Sequence, residues 1–323
     1  MTFEAIIATY DRRASLLRTL AAFDHQTDMD FSAAIIDDCS PDPVENWLDV
    51  STYRYPIRLL RTEKNGGPAR ARNLGVFTSL ADVVLFIDDD VVPAAELITS
   101  HRRVLNVGGL GTVSIGPLKA PADWQPTPWN RWEAATIEVE YQRMARGEYQ
   151  ASWRQFFTGN AAVRRAEFLA VGGFNESFTR AEDIEFAYRL AQTGARFVFE
   201  PEAIGWHYAK RSLASWRKIP IQYAEFDIAI AHLHPELNWT ERVHREQRQR
   251  HPLTRAVQTG VAALSLEGAT ATTAIGAARL AHACRAGWAS NRLLSLAFQL
   301  EYGASRRQLN AGQRFNPAST ATS

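Results

Sequence analysis

The sequence predicts an α/β fold, a mostly parallel sheet flanked by helices, with a C-terminal helical extension. Three observations lead there. Short β-branched runs alternate with longer stretches of helical periodicity through the first half of the chain. Acidic clusters close two of those runs, at the strand ends where open α/β sheets hold their ligands. From about residue 212 the composition becomes helical throughout.

Taken in order, FEAIIA (3–8), SAAIID (32–37), IRLLRT (57–62) and VVLFID (83–88) read as strands. Between the first two, RRASLLRTLAAFDHQ repeats Leu16, Leu17, Leu20 and Phe23 at helical spacing, and PARARNLGVFTSL offers a second helix. Strand, helix and strand in succession require crossovers, hence a sheet covered on both faces. Residues 117–157 change character, with four prolines among Trp124, Trp129, Trp132 and Trp153. Beyond 159 come a strand or turn, a short helix, a Gly-rich loop, an amphipathic helix over 182–192 closed by Gly194, and a further strand. The expected organisation is a catalytic domain over 1–211, divided into halves 1–116 and 117–211, a helical region over 212–310, and a flexible tail over 311–323.

The bulk numbers narrow the partners. With 323 residues and 46% hydrophobic content the chain can bury a large core. Its 36 Lys and Arg nearly cancel 35 Asp and Glu, so there is no global basic field to hold nucleic acid. Cys39 and Cys284 fit no metal-ligand spacing; they read as small buried residues of a reducing compartment. The first residues lack a basic segment leading into a long apolar run, and no stretch reaches the roughly 18 to 20 apolar residues of a membrane span. Residence in the cytoplasm is expected.

Two stretches carry chemistry. LFIDDDVV (85–92) drives three apolar residues, Leu85, Phe86 and Ile87, into Asp88, Asp89 and Asp90, which repel one another unless a positive charge sits among them. A hard divalent cation is the first suspect, since Mg²⁺ takes one or two protein carboxylates and fills its shell with phosphate oxygens and water. An exposed acidic turn would look the same. NGGPARARNLG (65–75) sets glycines before a helix start with Arg70 and Arg72, a pattern that suits an anion as well as an ordinary helix entry. It lacks the Gly-Lys-Ser/Thr ending of a Walker loop.

IIATYDR, IIDDCSPD, NGGPARARNLG, FIDDDVV and the later FFTGNAAVRRAEFLAVGGFNESFTRAEDIEFAYRL resemble, in order and spacing, the motifs of family 2 glycosyltransferases of the GT-A fold. The resemblance covers most of residues 3–210. It implies a uridine diphosphate sugar as donor, with Thr9, Tyr10 and Arg12 around the uracil and ribose and Asp37 or Asp38 accepting from the base. Asn65, Gly67, Arg72, Asp88 and Asp89 would complete the nucleotide-sugar side, Arg72 facing the diphosphate or base, while Asn73 would instead support the loop. Asp90 would hold Mn²⁺ or Mg²⁺, with His207 as a softer further ligand. Asp183 would be the general base, with Glu182, Gly159, Asn160 and Trp153 lining the acceptor and sugar. Standing at a helix N-terminus, Asp183 should have a lowered pKa unless burial or neighbouring carboxylates raise it.

The family's pattern supplies one base and one metal without a second, nucleophilic carboxylate, so the resemblance implies single displacement with inversion. The implied acceptor is a carbohydrate, small molecule or carrier-bound group, and the sugar a hexose or N-acetylhexosamine. The C-terminal helices suit a lid, a homodimer contact or peripheral membrane docking. A nucleotidyltransferase, or a nucleotide-sugar-binding protein without catalysis, are the competing readings.

Overall fold

The computed structural model describes residues 1–178, 180–249 and 252–312, so the tail expected over 311–323 lies almost wholly outside the described residues. Two compact units emerge: residues 1–124 with 136–209, and residues 125–135 with 210–323.

The first unit begins with β1 (Phe3–Thr9), α1 (Arg13–Phe23), β2 (Phe31–Asp37), β3 (Ile57–Arg61), α2 (Gly67–Phe77) and β4 (Val83–Ile87). It continues through β5 (Val91–Pro93), α3 (Leu97–Gly108), β6 (Thr112–Ile115), β7 (Leu118–Lys119) and α4 (Pro128–Ala145), whose first turns count with the second unit. β8 (Asn160–Arg164), α5 (Arg165–Ala170), α6 (Glu182–Gln192), β9 (Arg196–Phe199) and β10 (Gly205–His207) complete it.

Seven strands form the main sheet in the order β3-β2-β1-β4-β8-β6-β9. β3, β2, β1 and β4 pair in parallel, and β8 runs antiparallel between β4 and β6. Side chains along each strand alternate between two apolar layers. Ala5, Ile7, Leu85 and Ile87 join Leu16, Leu20 and Phe23 of α1 on one face. Ile6, Ala34, Ile36 and Phe86 join Ala69 and Val76 of α2 and Phe186 of α6 on the other. Burial on both faces explains why these strands read as unbroken apolar runs.

Gly75 shows how close the layers lie: a Cβ there would stand 2.7 Å from Ile36 Cδ1 and 2.9 Å from Ile6 Cγ2. A second sheet, β5-β10-β7, sets His207 opposite Val91, just past the acidic triplet.

The second unit holds α7 (Leu213–Leu233), α8 (Trp239–Arg248), α9 (Pro252–Ala263), α10 (Glu267–Ala283) and α11 (Gly287–Gly312). Its core gathers Trp129, Trp216, Ile219, Ile275 and Leu294. Asp227 is buried there and accepts from Trp239 Nε1 (2.8 Å) and from the Tyr302 hydroxyl. Among the described residues no helix is long and apolar enough to cross a membrane. The cysteine expectation fails: Cys39 is half-buried and Cys284 exposed, because both sit in turns rather than in either core.

Candidate active site

β1, β2 and β4 all end at one edge of the sheet, and the loops that follow them bring distant residues together. Thr9, Tyr10, Arg12, Asp38, Asn65, Gly67, Arg72, Asp88 and Asp89 line one cleft of about 440 Å³. Asp11 and Cys39, in the turns after β1 and β2, hold positive φ angles of 50° and 64°, and Ala181 before α6 holds 59°. Such angles in non-glycine residues cost energy and persist where surrounding contacts fix the chain.

The repulsion within the acidic triplet is relieved by two arginines and a histidine. Arg12 donates from Nη1 to Asp89 Oδ1 (2.8 Å) and from Nη2 to Asp90 Oδ2 (2.6 Å). Asp89 also accepts from Thr9 Oγ1 (2.7 Å) and is almost fully buried. Burial pushes its carboxyl up to about 7, against the pull of Arg12 and Thr9. His207 Nε2 lies 3.4 Å from Asp90 Oδ1. Burial would raise the Asp90 pKa, but His207 and Arg12 outweigh it and hold the carboxyl below the usual range. Among the described residues no group of three His, Cys, Asp or Glu side chains is gathered for a metal.

Arg72 takes the third carboxylate. Its buried guanidinium donates from Nη2 to Asp88 Oδ1 (2.7 Å) and from Nη1 to Glu182 Oε1 (2.9 Å), and its Nε finds no partner. This bridge ties the end of β4 to the first residue of α6, across 110 positions of sequence from Arg72 to Glu182. Asp183 follows directly. Its pKa is pushed up to about 7 by burial and by Glu182, against Arg72, so the lowering expected from a helix N-terminus is overridden.

The other sequence-predicted residues divide. Asp38 accepts from Gly66 N (3.1 Å), Gly67 N (2.7 Å) and Thr62 Oγ1 (2.8 Å), anchoring the Gly-rich loop whose Gly67 has φ 81°. Asp37 is absent from the cleft lining: it pairs with Arg61 and accepts from Ser40 N (2.8 Å) and Val44 N (3.2 Å). Asn73 accepts from Phe174 N (2.8 Å) and donates to Phe174 O (2.9 Å), so it supports the loop before α6. A Cβ on Gly159 would come 3.1 Å from Asp88 Oδ2, which sets that glycine beside the acidic triplet.

Asn160 is buried, its Oδ1 2.9 Å from His101 Nε2 and its Nδ2 donating to Ala203 O (2.7 Å) and Pro117 O (3.1 Å). Burial pushes His101 down to about 4, which keeps it neutral. The Trp153 ring packs edge-on to Tyr188 of α6, with centroids 5.3 Å apart. Sequence reading missed the pairing of Arg12 with Asp89 and Asp90, the Asp88–Arg72–Glu182 bridge and the His101–Asn160 contact. No local pattern announces any of them.

The fold and cleft define a GT-A-type domain, a mixed sheet with an acidic, arginine-lined cleft at the carboxyl ends of its parallel strands. The chain belongs to glycosyl transferase family 2, whose model matches residues 4–171. A second model, described as the N-terminal domain of galactosyltransferase, matches residues 141–209.

An uncharacterized glycosyltransferase of Haemophilus influenzae is 27% identical over 187 residues, 58% of this chain and 61% of that protein. The pre-mycofactocin glycosyltransferase of Mycobacterium tuberculosis is 28% identical over 206 residues, 62% of this chain and 43% of that one. The chain therefore spans between about two-fifths and three-fifths of the length of these relatives. In fold it is similar to S. aureus TarS residues 1–349 in complex with UDP, with TM-score 0.53, 17% identity and coverage of 98% of this chain and 93% of that one. It is also similar to the mannosyltransferase PcManGT of Pyrobaculum calidifontis in complex with GDP-Man and Mn²⁺, with TM-score 0.59, 20% identity and coverage of 91% and 85%.

Proposed function

We propose that this chain is an inverting, metal-dependent glycosyltransferase that moves a hexose or N-acetylhexosamine from a uridine diphosphate donor to an acceptor hydroxyl or amine, with Asp183 as general base. The observation that carries the reading is the Arg72 bridge, which joins Asp88 in the cleft to Glu182, the neighbour of Asp183. In this reading the bridge links the nucleotide side of the cleft to the proton acceptor's helix.

Arg72 keeps an unpartnered Nε donor and lines the cleft, which suits it to a diphosphate oxygen. Thr9, Tyr10 and Arg12 flank the donor on the β1 side and the Asn65–Gly67 loop on the α2 side. The catalytic domain proposed is 1–211, with the half from 117 onward shaping the acceptor site around Trp153, Gly159 and Glu182.

For a divalent cation we assign Asp90 and His207, which stand together, although Arg12 also bonds Asp90 and Asp90 is absent from the cleft lining. Asp90 stays ionised and stands beside His207, and an ion that arrives with a diphosphate needs few protein ligands. Asp90 and His207 would hold it, and when bound it supplies positive charge against the departing diphosphate. The chain's own part is proton handling. Asp183 Oδ takes the acceptor proton as the acceptor oxygen or nitrogen bonds to the anomeric carbon, and the bond from that carbon to the phosphate oxygen breaks with its electron pair leaving on UDP. A carboxylate poised near neutrality is a base that can both hold and release that proton.

Thermal-shift titration with UDP, UDP-sugars and GDP-mannose, with and without Mn²⁺, tests the donor, because stabilisation tracks concentration over Kd. Stabilisation by uridine nucleotides is expected. A response to guanosine donors alone overturns the donor assignment, and release of pyrophosphate in place of UDP would indicate a nucleotidyltransferase.

A further inference from the structure

The hairpin of α10 and α11 carries a face that does not look like a water face. Between Glu267 and Glu301 the chain has no Asp or Glu, yet it carries Arg279, Arg285 and Arg292, all exposed. The inner sides are ordinary core: Ala271, Ala274, Ile275 and Ala278 of α10 pack with Leu294 and Ala297 of α11. The outer side of α10 shows Gly276, Ala277, Leu280 and Ala283, where a surface helix ordinarily shows charge. Leu280 is 71% exposed and Trp288, one short turn away in the chain, is 70% exposed.

Two threonine hydroxyls on α10 donate to its own backbone. Thr272 Oγ1 donates to Gly268 O (2.8 Å) and Thr273 Oγ1 to Ala269 O (3.0 Å), within their own helix. The Arg292 guanidinium stands 4.6 Å over the Trp288 ring, a cation and an amphipathic ring side by side at the tip of the hairpin.

We infer that the Leu280–Trp288 end of this hairpin docks on an anionic lipid surface, Leu280 and Trp288 entering the interface while Arg279, Arg285 and Arg292 meet the headgroups. Charge decides between this and a second copy of the chain. A two-fold contact would bring the same acid-free patch against itself, three arginines facing three more, which is repulsive. An anionic leaflet is complementary to it, and the pairing of aromatic ring and basic side chain is what a membrane–water interface selects.

The test is flotation of the full chain with vesicles of pure phosphatidylcholine and of phosphatidylcholine containing phosphatidylglycerol. Binding to the anionic vesicles alone, weakened by salt, is expected. Changing Arg279, Arg285 and Arg292 to Gln should cost about fivefold in binding for each arginine removed. The double variant Leu280→Gln/Trp288→Gln should lose binding with unchanged circular dichroism and an unchanged thermal shift with UDP, both positions being exposed. Equal binding to neutral vesicles, binding indifferent to the double variant, or no binding to either vesicle overturns the inference. So does a wild-type dimer that the double variant converts to monomer without vesicle binding.

Discussion

At the scale of single residues, Arg72 bonds both Asp88 and Glu182, and Asp183 stands next to that bridge. Asp183→Asn is expected to cut turnover by about 10²–10⁴-fold while leaving the thermal shift with UDP intact, the mark of a lost proton acceptor and a kept donor site. With its pKa near 7, kcat/KM should fall as pH drops below that value, since the base must be ionised. Stability runs the other way. Between about pH 4 and 7 the folded Asp183 keeps a proton that the unfolded chain has released, so its contribution to stability is lost as pH rises through that window. Asp183→Asn should therefore raise the Tm at pH 8 and leave it unchanged at pH 4, as thermal melts at both pH values would show. Arg72→Met removes the only cation bonded to Glu182 among the described contacts and should cost about 3 kcal/mol in urea unfolding, the range for breaking a buried pair. At this scale the sequence was legible in residue types and blind to partners. Asp37 and Asp38 are adjacent and alike on paper, yet only Asp38 lines the cleft, because Arg61 on the neighbouring strand claims Asp37.

Elements were the most readable level. The apolar runs at 3–8, 57–62 and 83–88 and the helix over 182–192 follow from periodicity, and observed boundaries differ by a residue or so at most ends. A strand or turn was legible from 159, but local pattern could not reveal that β8 runs antiparallel between β4 and β6, since its partners lie far away in sequence. Packing between elements also reverses a propensity rule. Gly75→Ala ought to favour helix α2 by about 1 kcal/mol. The Cβ would instead drive into Ile36 and Ile6, so we expect a net loss of about 1–3 kcal/mol by chemical denaturation. On the same layer, Phe86 has Phe168 and Phe174 with centroids at 5.7 and 5.2 Å, and Phe86→Ala should cost about 3–5 kcal/mol.

Over the whole molecule, two units with separate cores imply separable responses. Asp227 lies in the core of the second unit, where Trp239 and Tyr302 both donate to it. Asp227→Ala strands those donors and should lower the melting of the second unit, while the UDP-dependent shift of the first persists. Calorimetry with and without UDP distinguishes this from a general loss of fold.

The sequence alone determined the alternation of strand and helix, the family motifs and the place of the acidic triplet at a strand end, because each is written within a few adjacent residues. Tertiary structure decided what neutralises the triplet and how Asp88 is tied to Glu182 beside Asp183. Those are contacts between residues up to 110 positions apart, set by strand order and packing, and no local window of sequence contains both partners.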